Sequence, residues 1–247
     1  MALNNYLDNS ELAERIFIAN EQVVNTSFIH KFGAVPAMSQ NTTGTIWDKN
    51  DTLYPWSAFD TPGVLTIATT TANGSTSSLD DGKSVTILGL DPGMNPISET
   101  ITITGSSGTG TKSFARVYRA YTSASNLNQI RVSRGATEVL RINISKSQTL
   151  MCIYTVPRGH TAFLTKGVCT AQAGADGTGQ MFVRYSGEGA FRIGHQFEVA
   201  GGGEYTYEFT VPIRLPEKTD VDVRLATRSN NGSYTACFDV ILVKNNR

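Results

Sequence analysis

Charge is scarce in this sequence. Only 17% of its 247 residues are Asp, Glu, Lys or Arg, against roughly 25% in a typical soluble domain, and the two signs cancel at 21 each. Without a basic surplus there is no general field to draw in nucleic acid or an anionic membrane, so neither is an expected partner. Long apolar runs are missing as well, none approaching the roughly 20 residues of a membrane span. The cysteines, Cys152, Cys169 and Cys237, are odd in number and lack CxxC spacing. The leading MALNNYLDNSELAERIF has no basic stretch followed by an apolar one. The expectation is synthesis in a reducing cytoplasm with buried thiols, and neither a disulfide framework nor a metal or cofactor site. Convincing helix signals are confined to one place. What is plentiful is Gly, Thr, Ser and Asn, the composition of short strands and many turns.

The stretch Thr149 to Cys169 shows that grammar most plainly. Leu150, Cys152, Tyr154 and Val156 fall on one side of an extended chain and Met151, Ile153 and Thr155 on the other, as in a strand covered on both faces. Val156-Pro157-Arg158-Gly159 reads as a tight reversal, because Pro presets the second position of a type I turn and Gly suits the fourth. A buried hairpin is expected.

The one helix starts at Asp8, Asn9 or Ser10, with Glu11 and Glu14 in the first turn where the dipole favours negative charge. Leu12, Ile16, Ala19 and Val23 then form a single apolar stripe. From Asn25 to Pro62 follow apolar clusters without periodicity, including Phe28, Phe32, Trp47 and Trp56. This stretch is long for a structureless connection and too aromatic for a disordered linker. Two readings stand side by side: the stripe and the tryptophans pack on their own chain, or they dock on a partner or symmetry mate. The docking reading makes Leu12, Ile16, Ala19, Val23, Phe28, Phe32, Trp47 and Trp56 partner-binding residues.

Beyond Gly63 the strands come quickly. Val64 to Thr69, Lys83 to Leu90, Ile97 to Thr104, Phe114 to Tyr121, Gln129 to Val132 and Val139 to Ile142 are separated by Gly-, Pro- and Asn-rich turns. After Cys169, strands are expected at Gln180 to Tyr185, Phe191 to Val199, Glu204 to Val211, Asp220 to Ala226 and Tyr234 to Val243. This spacing predicts an all-β chain of two tandem antiparallel β-sandwiches, Ig-like over 63–145 and jelly-roll-like over 146–247, preceded by a helix and docking arm over 1–62.

Several of these turns and strand edges carry a likeness. Trp-Ser-x-x-x-Thr-Pro-Gly at Trp56 to Gly63, Val-Thr-Ile-x-Gly-Leu-Asp at Val85 to Asp91, Ser-Glu-Thr-Ile at Ser98 to Ile101 and the arginine-bearing aromatic strand Phe114 to Tyr121 resemble structural virion proteins of tailed phages, marine and cyanobacterial ones in particular. Tyr-Thr-Val-Pro-x-Gly-x-Thr-Ala at Tyr154 to Ala162 and Pro-Glu-Lys-Thr-Asp-Val at Pro216 to Val221 resemble the second half of the same group. The resemblance spans about four fifths of the chain and implies a particle component made in many copies, a decoration, neck or fibre-like protein localised to the virion.

Signals for chemistry are weak. His30, His160 and His195 are scattered without metal-ligand spacing. Asp220 and Asp222 share a strand face, with Glu198, Glu204 and Glu208 on nearby strands. Such carboxylates hydrolyse glycosides only when held at about 5 to 9 Å, and an Asp-x-Asp pair alone offers too few oxygens for Ca²⁺. The loop GSSGTGTKS, Gly105 to Ser113, resembles a phosphate loop out of register, since its lysine follows Thr111. The expected function is therefore non-enzymatic: an oligomeric virion component, a trimer by preference, bound to other virion proteins through its arm. The alternatives are a carbohydrate- or receptor-binding module and, third, a glycan-degrading enzyme.

Overall fold

A computed structural model describes residues 16–20, 22–49 and 51–245. The first strands are β1 (Thr26–Met38) and β2 (Thr43–Thr45). After a short 3-10 turn at Trp56–Phe59 come β3 (Thr66–Thr70), β4 (Ser84–Leu90), β5 (Pro96–Thr102), β6 (Ser107–Thr109), β7 (Arg116–Thr122), β8 (Gln129–Arg134) and β9 (Thr137–Ile142). The remainder of the chain forms β10 (Ile153–Thr155), β11 (His160–Ala171), β12 (Gly177–Arg184), β13 (Arg192–Val199), β14 (Glu204–Leu215), β15 (Asp220–Thr227) and β16 (Gly232–Lys244).

These strands make four small antiparallel sheets, set like the blades of a four-bladed propeller, and this overturns the expected pair of tandem sandwiches. The first sheet runs β1-β16-β11-β14 and the second β10-β15-β12-β13, with β2 also on β15. The third is β6-β3-β8-β9 and the fourth β5-β4-β7. The correction has a physical source: several chain neighbours do not stay together. The reversal falls one residue later than expected, at Pro157 to His160, closed by the His160 N–H on the Pro157 carbonyl at 3.3 Å, with Gly159 at φ +73°, where a glycine is favoured because it has no Cβ to clash. Yet β10 before it pairs with β15 while β11 after it pairs with β16 and β14. The expected hairpin is instead a crossing from one sheet to another.

The stretch 25–62 is not a free arm. Strand β1 pairs along most of β16, from Thr26↔Val243 to Met38↔Gly232, and β2 pairs with β15. Val35, Met38 and Ile46 enter one apolar cluster with Tyr154, Leu164 and Val240. Trp47, Tyr54, Trp56 and Phe59 enter a second, with Val85, Ile103 and Ile130. The rings run in an edge-on series, Trp47 to Tyr54 at 5.3 Å and Tyr54 to Trp56 at 5.0 Å between centroids, a geometry that adds to the area term.

Two inward-facing positions of β1 disguise it as a strand in the sequence. Gly33 sits where a Cβ would lie 2.5 Å from the Cys152 backbone nitrogen and 2.6 Å from the Ile46 carbonyl oxygen, so only glycine fits. Lys31 is 7% exposed and spans to β7, its Nζ donating to the Tyr118 carbonyl at 2.5 Å and lying 5.6 Å from the ring centroid. Burial lowers the Lys31 ammonium to about 8, because the charged form loses water. The phosphate-loop resemblance also finds its cause. The backbone N–H groups of Thr111 and Lys112 and the Thr111 hydroxyl donate to Oε1 of buried Glu99, so the loop is an anion cradle filled by the protein's own carboxylate.

Candidate interaction surface

The residue types that carry chemistry are concentrated in a buried joint. Asp220 and Asp222 are 2% and 0% exposed. Arg116 of β7 reaches Asp220 through Nε at 2.9 Å and Nη2 at 3.1 Å, Arg184 of β12 adds Nη2 at 2.6 Å, and Thr155 donates to it at 2.6 Å. Asp222 accepts from Trp56 Nε1 at 3.0 Å, Thr45 Oγ1 at 2.8 Å and Arg224 Nε at 2.9 Å. Burial raises the Asp222 carboxyl, opposed by Arg224, Trp56 and Thr45. Above the joint, the Arg184 and Arg224 guanidinium groups lie 4.5 and 4.9 Å from the Phe191 ring centroid. Buried, paired carboxylates of this kind tie elements together. Glu198, Glu204 and Glu208 lie apart from them at exposed edges, with Glu198 paired to Arg228 at 2.7 Å. The carboxylates considered for glycoside hydrolysis are therefore not brought together.

The aromatic stripe of β14 faces a cleft. Tyr205, Tyr207 and Phe209 gather round His195 of β13, whose Nε2 is 2.9 Å from the Tyr205 hydroxyl, while Phe197 stacks on Tyr205 at 4.7 Å with planes 7° apart. The cleft holds about 30 Å³, room on the scale of one or two waters and not of a sugar ring.

The first sheet has a very different outer side. Its registers place four-residue rows across it. Phe28, Ile241, Phe163 and Arg214 form the first row, and Phe32, Cys237, Val168 and Thr206 the third. Between them lies a polar row: His30, Asp239, Lys166 and Glu208. Within it His30 Nδ1 is 2.5 Å from Asp239 Oδ1 and Lys166 Nζ is 3.3 Å from Glu208 Oε1. Four residues of β14, Phe209 to Pro212, bulge out opposite Thr165, because pairing jumps from Lys166↔Glu208 to Leu164↔Ile213. The bulge and a helical turn at residues 16–19 wall a groove of about 700 Å³ over Thr165, Lys166, Asp239 and Ile241.

The residues expected to bind partners part company here. Phe28 and Phe32 are 44% and 41% exposed on this face; Ala19 lines the groove, with Ile16 half-buried in the same turn, and Val23 is 37% exposed. Trp47 and Trp56 are 1% and 6% exposed. Their reading as partner anchors is corrected: an indole enclosed by its own chain offers no surface to another. Leu12 lies outside the described residues. The sequence reading missed the polar row and Val211, which is 80% exposed at the bulge. Alternation along β11, β14 and β16 is readable, but the rows exist only once β1 is known to lie beside β16.

No family model matches the chain, and no curated protein does. Solved structures to which it is weakly similar are of a virus. They include infectious bursal disease virus Gx strain, at 8% identity over 89% of this chain and 72% of that one, with a TM-score of 0.25. The Gt strain gives 9% identity over 90% and 78%, with a TM-score of 0.20. The 2.6 Å structure of particles derived from the same virus gives 8% over 90% and 75%, with a TM-score of 0.18. None of the three is of a tailed phage, and at these scores the likeness carries no argument about this chain.

Proposed function

We propose that the chain is a non-enzymatic structural component of a virus particle, assembled in several copies and localised to the virion. One observation supports this above the rest: the outer side of the β1-β16-β11-β14 sheet leaves Phe28 and Phe32 more than two fifths exposed on a regular strand. Aromatic residues on an ordered strand are what a repeated protein contact uses, since little side-chain entropy is lost when they are covered. The motif resemblance to tailed-phage virion proteins adds the finer reading of a decoration, neck or fibre-like protein whose partners are other virion proteins. The anchor in this reading is the outer sheet face with its helical turn, and not the tryptophans.

The test is to purify intact particles from infected cells, identify the chain by peptide mass spectrometry, and locate it by antibody labelling in the electron microscope. The expected result is a fixed number of copies at a regular position. Absence of the chain from purified particles overturns the reading.

A further inference from the structure

The groove on the first sheet calls for an apolar occupant. Its apolar lining is Ile18 and Ala19 of the helical turn, Phe28 of β1, Ile241 of β16, and Phe209 and Pro212 of the β14 bulge. The polar groups along it are already engaged within the sheet. Thr165 Oγ1 donates to the Asp239 carbonyl at 3.2 Å, Asp239 Oδ1 lies 2.5 Å from His30 Nδ1, and Lys166 Nζ lies 3.3 Å from Glu208 Oε1. An ionic ligand would have to break these contacts to gain its own, whereas apolar side chains need only cover the lining. The volume of about 700 Å³ falls within the range of about 300 to 1,000 Å³ in which proteins enclose a bound group.

The described chain begins at the edge of this groove. Of the stripe read from the sequence, Ala19 lines the groove and Ile16 is half-buried in the same turn. Leu12 is the next member, four residues before Ile16, which is the spacing of neighbours on one helix face. The residues ahead of Ile16 also include Leu3, Tyr6 and Leu7, so the segment has apolar side chains to fill the space. Being joined to the rim by the chain itself, it competes at an effective concentration on the order of millimolar. A segment of another molecule meets the groove on equal terms only at that concentration in solution.

We infer that this groove is the seat of the chain's own leading segment, residues 1–15, with Leu12 as the anchoring side chain. Leu12 is then a contact within the chain, and the seat is closed to other molecules until the segment leaves it. The inference goes beyond the virion reading and needs only the isolated chain, so either can fail without the other.

The experiment reads the groove from inside. In a full chain carrying Cys237→Ser, Thr165→Cys places one reactive thiol in the groove, since Cys152 and Cys169 are buried. Its alkylation by a maleimide is timed at a dilution below which the rate no longer changes, so that contacts between molecules play no part. Leu12→Asp, added to the same chain, speeds the reaction by at least about tenfold and leaves the circular dichroism of the sheets as it was. Removing residues 1–15 gives the same fast rate. Thr210→Cys, on the bulge side of the groove, takes over the measurement if Thr165→Cys fails to fold. A rate that neither change speeds overturns the seat, and a rate that only the removal of residues 1–15 speeds overturns Leu12 as its anchor. Protection that appears only as protein concentration rises also overturns the inference, because the occupant is then a second molecule.

Discussion

Replacing Asp48 with Asn should stabilise the protein by an amount that grows as pH rises from mild acid to about 8. Asp48 is 4% exposed; its Oδ2 accepts the Leu150 N–H at 2.5 Å and its Oδ1 lies 3.3 Å from Asn143 Nδ2. Burial pushes its carboxyl up to about 8, against the pull of the Leu150 N–H and of Arg141. The sign follows from linkage. Between the ordinary carboxylate range and about 8 the folded protein keeps a proton that the unfolded chain has lost, so stability falls as pH rises through that window and levels off above it. A span of about four pH units at about 1.4 kcal/mol per unit sets a ceiling on the order of 5 kcal/mol. The Asp48→Asn amide mimics the protonated acid and removes the slope. Urea unfolding of both proteins near pH 5 and near pH 9 should show the advantage of the Asp48→Asn variant growing by about 2 kcal/mol or more from the first pH to the second. Lys31, lowered to about 8 as well, titrates in both proteins and cancels from the difference. A gap that is the same at both pH values refutes the reasoning, for it would place Asp48 ionised in the folded state throughout.

Other substitutions probe the joint and the strand that closes it. Trp56→Phe keeps most of the ring but removes the N–H that reaches Asp222, leaving a buried carboxylate short of a donor, and should cost about 2 kcal/mol in denaturant unfolding. Arg116→Ala leaves Asp220 with Arg184 as its one guanidinium partner beside the Thr155 hydroxyl and should cost about 3 kcal/mol or more, detectable as a lower thermal midpoint. Gly33→Ala forces a methyl against the backbone of Cys152 and Ile46 and should destabilise by at least about 2 kcal/mol, or prevent folding; a neutral Gly33→Ala would show that β1 does not pack as described.

Local alternation is readable wherever partners lie close in the chain. It sets Val85 and Ile87 against Ile101 and Ile103, and Val85 pairs directly with Ile101 across β4 and β5. Strand β1 is hidden because its inward side carries Lys31 and Gly33, polar and small, while its outward side carries Phe28 and Phe32, the reverse of the pattern that marks a half-buried strand. The four-sheet arrangement is not readable for a related reason. Pairings such as Thr26↔Val243 join opposite ends of the chain, and nothing in a local window specifies them. Asp220 and Asp222 look in the sequence like an exposed acidic pair, because their alternation with Val221, Val223 and Leu225 is that of a half-buried strand, and their guanidinium partners come from β7, β12 and β15 itself. The interaction face inherits this blindness, since its rows are assembled from strands far apart in sequence.

The contact between copies can be read at a single atom. Cys152 and Cys169 are buried, whereas Cys237 is partly exposed on the outer face of the first sheet, where a facing copy would cover it. The rate at which a maleimide alkylates Cys237 should fall as protein concentration rises. A rate independent of concentration in the wild type would contradict the account.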